Sequence, residues 1–210
     1  MIAKRIQEKG ILSRLLEQGI RILLIKECKS ISNLRIDIIS NSTQIIKGEI
    51  KRLNIIAEDI NYKDLLFDEF KLEANRLKIN FKLTNKELYF KNNPIIKFKV
   101  SLSQKSLKKV LLYSNWNWVE DMISKEILNQ DKLEDIKIKD DTLTIIASKK
   151  NKTIIEIQKI NIKTEKGKIY LENNKYNKTV MIPIEDKIYI ENVNIDKDLI
   201  NIFANSSISF

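Results

Sequence analysis

The stretch from Pro94 to Leu128 changes its hydrophobic period at Ser103, and this change constrains the fold more than any other feature. Before Ser103, apolar and polar residues alternate, which is typical of a strand with one buried face. After Ser103, apolar residues recur every three or four positions, as on one side of a helix. The alternating positions are Ile96, Phe98, Val100 and Leu102, and the helical positions are Leu107, Val110, Leu111, Val119, Met122, Ile123 and Ile127. The stretch therefore predicts a strand followed by a pair of helices.

The segments on both sides of this helical pair carry alternating apolar patterns over most of their length. Only four glycines and two prolines occur in the chain, which favours long strands joined by short turns of Asn, Lys and Asp. Successive strands of this kind need no crossover helices and pair antiparallel. The pattern slips by one residue near Asn75 and again between Ile157 and Ile160, and each slip predicts a β-bulge that curves its strand.

Residues 11–28 have the spacing of an amphipathic helix, with Arg14, Glu17 and Arg21 opposite the apolar side chains. Gly19 lies within the apolar positions at a cost of about 1 kcal/mol against Ala, which a close packing contact would explain. We interpret this helix as part of the core. A helix that dips into a membrane surface is the alternative.

These patterns together predict an α+β fold. A strongly curved antiparallel β-sheet wraps on the N-terminal helix, and the central helical pair is inserted between two β-meander halves. We predict one domain at residues 11–195, preceded by an N-terminal extension at 1–10 and followed by a C-terminal tail at 196–210.

The net charge is +10, from 38 basic and 28 acidic residues. Such an excess favours an anionic partner, either nucleic acid or a lipid surface. A second explanation is a bias of the whole sequence toward Ile, Lys and Asn, in which Lys merely fills solvent positions. The lysines are spread along the chain without a recognisable nucleic-acid-binding motif, which makes nucleic acid the less favoured partner.

Catalysis is disfavoured by what the sequence lacks. There is no histidine, the commonest general base and metal ligand, and no Gly-rich phosphate loop or nucleophile elbow. The acidic pairs Glu120-Asp121 and Asp140-Asp141 suit a helix start and a turn. The single cysteine, Cys28, excludes an intramolecular disulfide. We therefore predict a non-catalytic protein without metal or cofactor.

The N-terminal region has no apolar run of the length that a signal peptide or a membrane span requires. A cytoplasmic protein is expected, with at most peripheral membrane contact.

The order and spacing of these segments resemble the LmeA-like family of bacterial phospholipid-binding domains over roughly residues 11–195. The resemblance rests on the helix Leu12 to Cys28, on Leu34-Arg35-Ile36-Asp37-Ile38, on Ile45-Ile46-Lys47-Gly48-Glu49-Ile50, on the run Leu65 to Ala74 and on the junction Phe98 to Leu107. It implies a curved antiparallel sheet wrapped on a long helix that binds phospholipid without chemistry. Some members carry an export signal or anchor, and no such segment is recognised in this sequence.

We predict that the chain binds, and either holds or transfers, a phospholipid or another apolar ligand in a cavity of aliphatic strand faces and helices. An anionic membrane surface is the second expected partner. The predicted lipid-binding residues are Leu15, Leu16, Ile22, Phe70, Leu72, Phe98, Val100, Leu111 and Ile123. The predicted membrane-docking residues are Trp116 and Trp118, whose rings suit a membrane interface, with Lys105, Lys108 and Lys109.

Two alternatives remain open from the sequence. The tryptophan rings cap the core instead of facing a membrane, or the chain is a basic nucleic-acid-binding or protein-interaction module without a lipid cavity.

Overall fold

The computed structural model describes residues 10–82, 87–112, 114–128, 132–148 and 155–207. Up to the helical region the elements are α1 (Ile11–Glu27), β1 (Ser30–Ile39), α2 (Ser42–Ile46), β2 (Glu49–Tyr62), β3 (Leu65–Lys82), β4 (Glu87–Phe90) and β5 (Ile95–Ser103). The helical region contains α3 (Gln104–Leu112), a 3₁₀ turn (Ser114–Trp116), α4 (Asn117–Asp121) and a π-helix (Met122–Ile127). Strands β6 (Lys132–Lys139), β7 (Thr142–Ser148), β8 (Ile155–Glu165), β9 (Lys168–Asn173), β10 (Lys178–Ile182), β11 (Ile188–Asp196) and β12 (Leu199–Ser207) follow. The predicted α+β class is confirmed, and the predicted extension at 1–10 lies outside the described residues except for Gly10.

The described strands form two antiparallel sheets. The seven-stranded sheet has the order β1-β2-β3-β5-β12-β11, with β4 paired to β3, and the five-stranded sheet has the order β10-β9-β8-β7-β6. The last two strands therefore return to the first sheet instead of completing the second meander. The prediction of two sequential meander halves is wrong in this respect, although the helical pair does lie between the two sets of strands.

Strand β12 corrects the predicted tail at 196–210. It lies between β5 and β11, with Ile200 opposite Leu102 and Ala204 opposite Phe98. The asparagines made this segment look polar, although a strand with one buried face needs apolar residues only at alternate positions. The C-terminal segment is thus an interior strand of the larger sheet as far as residue 207.

The change of period at Ser103 is confirmed, since β5 ends there and α3 begins at the next residue. The Ser103 hydroxyl accepts a hydrogen bond from the backbone N–H of Ser106 at 3.2 Å, as expected of a helix N-cap. The same hydroxyl donates to Asp68 of β3 at 2.8 Å. Local capping and a contact to the neighbouring strand together fix this junction.

The two predicted phase slips have different outcomes. Near Asn75, β3 is one continuous strand in which Arg76 has φ of 55°, and both Ala74 and Leu77 are buried. No residue is inserted, because Arg52 pairs with Asn75 and Ile50 with Leu77 in unbroken register. The side chains of β2 and β3 exchange faces at the same point, so neither strand carries an extra residue. The predicted bulge in β3 is therefore wrong.

The slip predicted in β8 is absent. The strand pairs with β7 in regular register, so that Ile160 is buried together with Gln158 while Ile155 and Ile157 are 61% and 65% exposed. The sequence pattern was misleading because isoleucines occupy both faces and a glutamine occupies a buried position.

The buried apolar residues form two main clusters. The first lies between α1 and strands β1 to β3, and the second lies between the five-stranded sheet, the helical region and strands β11 and β12. The second sheet reaches the first through contacts of β8 and β9 with β11. The centre of the larger sheet, at β3 and β5, lies between these two covered regions.

Candidate functional site

The centre of the seven-stranded sheet carries four apolar side chains on the face that α1 packs against. We call Phe70, Leu72, Ile96 and Phe98 the apolar strip. Leu72 pairs with Phe98 across β3 and β5, and the rings of Phe70 and Phe98 have centroids 6.4 Å apart. All four side chains are only half-buried, because α1 covers one end of the sheet and the second sheet covers the other.

Helix α1 faces the same cluster with a row of side chains that is also half-buried. Leu16, Ile20 and Leu24, the inner row, pack against the cluster that the strip adjoins. The one buried residue of α1 is Ser13, and the Glu17 carboxylate accepts a hydrogen bond from the backbone N–H of Ile38 at 2.9 Å. Polar contacts therefore hold α1 on β1, while its apolar inner row and the apolar strip both keep accessible surface. We use the name apolar cleft for the stretch of this sheet face that lies between the inner row and the apolar strip.

The structure brings together part of the predicted lipid-binding set. Leu16, Phe70, Leu72 and Phe98 line the cleft, and Val100 lies on the same sheet face, opposite Phe70. The structure separates the other predicted residues, which are Leu15, Ile22, Leu111 and Ile123.

Two of these separated residues lie on the outside of α1. Leu15 and Ile22 are 63% and 65% exposed, so the prediction that they face the interior is wrong. Helix α1 carries apolar side chains on both sides, and the side that packs on β1 contains Leu16 and Ile20 instead. Leu111 and Ile123 are buried in the second cluster and do not reach the cleft.

A second feature lies on the opposite, polar face of the same sheet. It is an open cavity of about 550 Å³ that crosses the strands from β1 to β11. Its lining residues at outward positions are Arg35, Asp37, Asn54, Ile56, Lys71, Glu73, Lys97, Lys99, Phe203 and Glu191. Four residues at apolar positions of the same strands also line it: Ile55, Leu72, Phe98 and Ala204. The alternating pattern did not predict this cavity, because that pattern concerns only the apolar positions of each strand. The available signal was Ile56 and Phe203, two apolar residues at otherwise polar positions.

Glu69 lies beside this cavity between two lysines. Its carboxylate oxygens lie 2.9 Å from the Lys71 Nζ and 3.6 Å from the Lys99 Nζ. The hydrogen bond from Lys71 lowers the pKa of Glu69, against the opposing effect of partial burial, and the charges of both lysines lower it further. The folded protein thus favours the ionised form of this carboxyl.

Glu69→Gln is expected to lower the free energy of unfolding at neutral pH by less than about 1 kcal/mol, because the pair is partly exposed. A carboxyl whose pKa is lower in the folded state stabilises above its unfolded-state pKa, about 4.3 for Glu, and loses this contribution as the pH falls through the folded-state value. Urea unfolding of both proteins at neutral and acid pH measures the difference. A difference that stays constant on acidification would contradict the assignment.

The tryptophan loop lies against the turn between β2 and β3. The Trp116 Nε1–H donates to the Lys63 carbonyl at 3.3 Å, and the rings of Trp116 and Trp118 have centroids 6.2 Å apart. Trp118 is 40% exposed, and neither ring belongs to a core cluster among the described residues. The alternative that both rings cap the core therefore has no support in these contacts.

The three predicted docking lysines lie on α3, and their surroundings differ. Lys105 and Lys109 are exposed, whereas the Lys108 Nζ lies 2.5 Å from a carboxylate oxygen of Asp135. The hydrogen bond from Lys108 lowers the pKa of Asp135. Lys108 thus has a partner within the protein.

Within the described residues, no group of three or more Cys, Asp or Glu side chains is arranged to hold a metal ion. No helix in the described ranges is both long and apolar enough to cross a membrane.

Comparisons with family models, with curated proteins and with solved structures found no match to this chain. The resemblance to the LmeA-like family therefore stays a prediction from the sequence.

Proposed function

We propose that this protein is a non-catalytic binder of phospholipid, whose acyl chains occupy the apolar cleft between α1 and the centre of the seven-stranded sheet. The observation that carries the proposal is the incomplete burial of two apolar surfaces on the same side of the seven-stranded sheet. The inner row of α1 and the apolar strip pack against one buried cluster, yet both keep accessible surface.

The free energy of burying apolar surface supports this assignment. Burial of a Leu, Ile or Phe side chain contributes about 1.5–3 kcal/mol. A ligand that completes the burial of the inner row and the apolar strip would gain part of this free energy. An acyl chain matches these walls, since they offer aliphatic and aromatic contacts. The carboxylate of Glu17, the polar group at the α1 end of the cleft, is already bonded to the Ile38 N–H.

Curvature of the sheet is part of the proposal. A twisted sheet is saddle-shaped, so that each of its faces is concave along one diagonal. The open cavity on the polar face is consistent with one such concave diagonal. We propose that the apolar face is strongly curved along the other diagonal and wraps around α1 and the bound acyl chain.

Native mass spectrometry of gently purified protein, with lipid analysis of its organic extract, tests the proposal. A stoichiometric extra mass that extracts as phospholipid is the expected result. Leu72→Gln places an amide in the cleft and is expected to weaken lipid retention about tenfold, because burying an unpaired polar group costs about 1–3 kcal/mol. A mass of the wild-type protein alone, with no uptake of phospholipid from liposomes, would contradict the proposal.

Ile56→Gln is the matched control. Ile56 lies on β2 opposite Lys71, so its side chain is close to residue 72 along the sheet but points to the polar face. We expect this variant to retain lipid like the wild-type protein. Equal loss in both variants would show that the effect comes from general destabilisation of the sheet.

The polar-face cavity favours one alternative, a protein-interaction module. Its lining carries four basic and three acidic side chains, and the carboxylates would repel the phosphates of a nucleic acid. A polar polypeptide is better matched to this mixture of charges. Absence of bound lipid together with a salt-sensitive protein complex would favour this alternative.

A further inference from the structure

Helix α1 presents a second row of apolar side chains, on the side that faces away from the sheet. Ile11, Leu15, Ile22 and Ile25, the outer stripe, are 77%, 63%, 65% and 52% exposed. Their spacing places them on one side of the helix. Gly19 lies beside the stripe, and nothing is within 4 Å of the position of its missing Cβ. The outer stripe is therefore an accessible apolar surface on both halves of α1, with the exposed Gln18 between Leu15 and Ile22.

The cations of α1 flank this stripe. Arg14 and Lys26 are exposed, and the side chain of Lys29, just beyond the helix, is 63% exposed. Of the two acidic residues of α1, Glu17 is turned toward β1, where it accepts a hydrogen bond from the backbone N–H of Ile38, and Glu27 is exposed in the last turn. An exposed apolar stripe with basic side chains beside it is typical of a helix that lies in a membrane interface.

The tryptophan loop, which carries Trp116 and Trp118, extends this surface at the C-terminal end of α1. The Lys29 Nζ donates to Asp64 at 2.6 Å, and the Asn115 side chain donates to the other oxygen of the same carboxylate at 3.1 Å. This buried carboxylate therefore ties the end of α1 to the loop that carries Trp116 and Trp118. The connection places the tryptophans at the same edge of the molecule as the last turn of the helix.

Trp118 and Tyr62 expose 40% and 39% of their surface at this edge. The Nζ of Lys63 lies 5.2 Å from the centroid of the Tyr62 ring. Aromatic rings with a polar group at one end favour the boundary between lipid head groups and acyl chains. Lysines beside them attract anionic head groups.

We propose that the outer stripe of α1, with Trp118 and Tyr62 at its end, docks on the surface of an anionic phospholipid bilayer. The inference rests on the proposed function in that the ligand class is the same, and it assigns the membrane contact to α1 instead of α3. A second copy of the chain fits the stripe less well. Two such helices would bring their flanking cations together on proteins that each carry a net charge of +10.

Co-sedimentation with vesicles of phosphatidylcholine and phosphatidylglycerol tests this docking. Ile22→Gln combined with Ile25→Gln is expected to weaken vesicle binding about tenfold for each side chain, because each loses apolar burial in the bilayer. Ile155→Gln combined with Ile157→Gln is the matched control, since these isoleucines of β8 are 61% and 65% exposed. The control is expected to bind like the wild-type protein, with an unchanged melting temperature in both variants.

Charge dependence is the second readout. Binding is expected to be weaker on pure phosphatidylcholine vesicles and to fall with added salt, because salt screens the attraction between lysines and head groups. Equal binding by the stripe variant and the control would overturn the proposal. A wild-type dimer that the stripe variant converts to a monomer would also overturn it, in favour of a second copy as the occupant.

Docking and lipid binding in the cleft can fail separately. If docking alone is correct, the stripe residues matter for vesicle binding but native mass spectra show no bound lipid. If both are correct, the stripe variant keeps its bound lipid and loses vesicle binding, whereas Leu72→Gln keeps vesicle binding and loses bound lipid.

Discussion

Gly48→Ala is expected to lower the free energy of unfolding by about 3 kcal/mol or more, from backbone strain and a steric clash together. Gly48 has φ of +74° at the turn between α2 and β2, and a Cβ there would lie 2.1 Å from the carbonyl oxygen of Ile79. The turn cannot open easily, because the Gly48 carbonyl accepts a hydrogen bond from the Ile79 N–H at 2.7 Å. For a chain of this size the melting temperature should fall by about 6–12 °C.

Gly19→Ala is the matched control for this prediction. Gly19 lies inside α1 with nothing within 4 Å of the position of its Cβ, so alanine is expected to stabilise the helix by up to about 1 kcal/mol. Thermal unfolding followed by circular dichroism measures both variants. A Gly48→Ala protein as stable as the wild-type protein would contradict the geometry of this turn.

Ile127→Ala is expected to cost about 2–5 kcal/mol of unfolding free energy. Ile127 is 0% exposed at the end of the π-helix. It belongs to the cluster that joins the helical region to the five-stranded sheet and to Val193 and Ile200 of the larger sheet. Truncation removes transfer free energy and leaves a cavity, and regular packing from several elements limits how far the site can collapse.

Urea unfolding measures this loss, and Ile155→Ala provides the comparison. Ile155 is 61% exposed, so its truncation is expected to change the unfolding free energy by less than about 0.5 kcal/mol. Similar losses in the two variants would show that the helical region is not packed on the second sheet as described.

The sequence predicted those features of the fold and of the cleft that depend on neighbouring residues. The alternation up to Ser103 and the helical spacing after it predicted β5 and α3, because strand pleat and helix pitch are local properties. Phe70, Leu72 and Phe98 were placed on one face for the same reason. A bend at Gly48 could also be inferred from the sequence, since a glycine between apolar runs often marks a bend.

The same reasoning failed where a residue had two possible environments. The isoleucines of β8 occupy both faces, and only the pairing with β7 decides that Ile160 is buried and Ile157 is exposed. Leu15 and Leu16 are adjacent in α1, and only the way the helix lies on β1 decides that Leu15 faces outward. The polar-face cavity likewise arises from side chains on six strands that no local pattern connects.

The sequence by itself determined the α+β class, the position of the helical pair and the alternation of strands such as β5, because hydrogen bonding within a helix and the pleat of a strand act over a few residues. The tertiary structure decided which strands pair and which side of α1 is covered. Ser101 and Asn201 show the difference, since their buried side chains are hydrogen-bonded at 2.8 Å although they are 100 residues apart. Such a contact depends on the free energy of packing whole elements together, which the spacing of residues along the chain does not record.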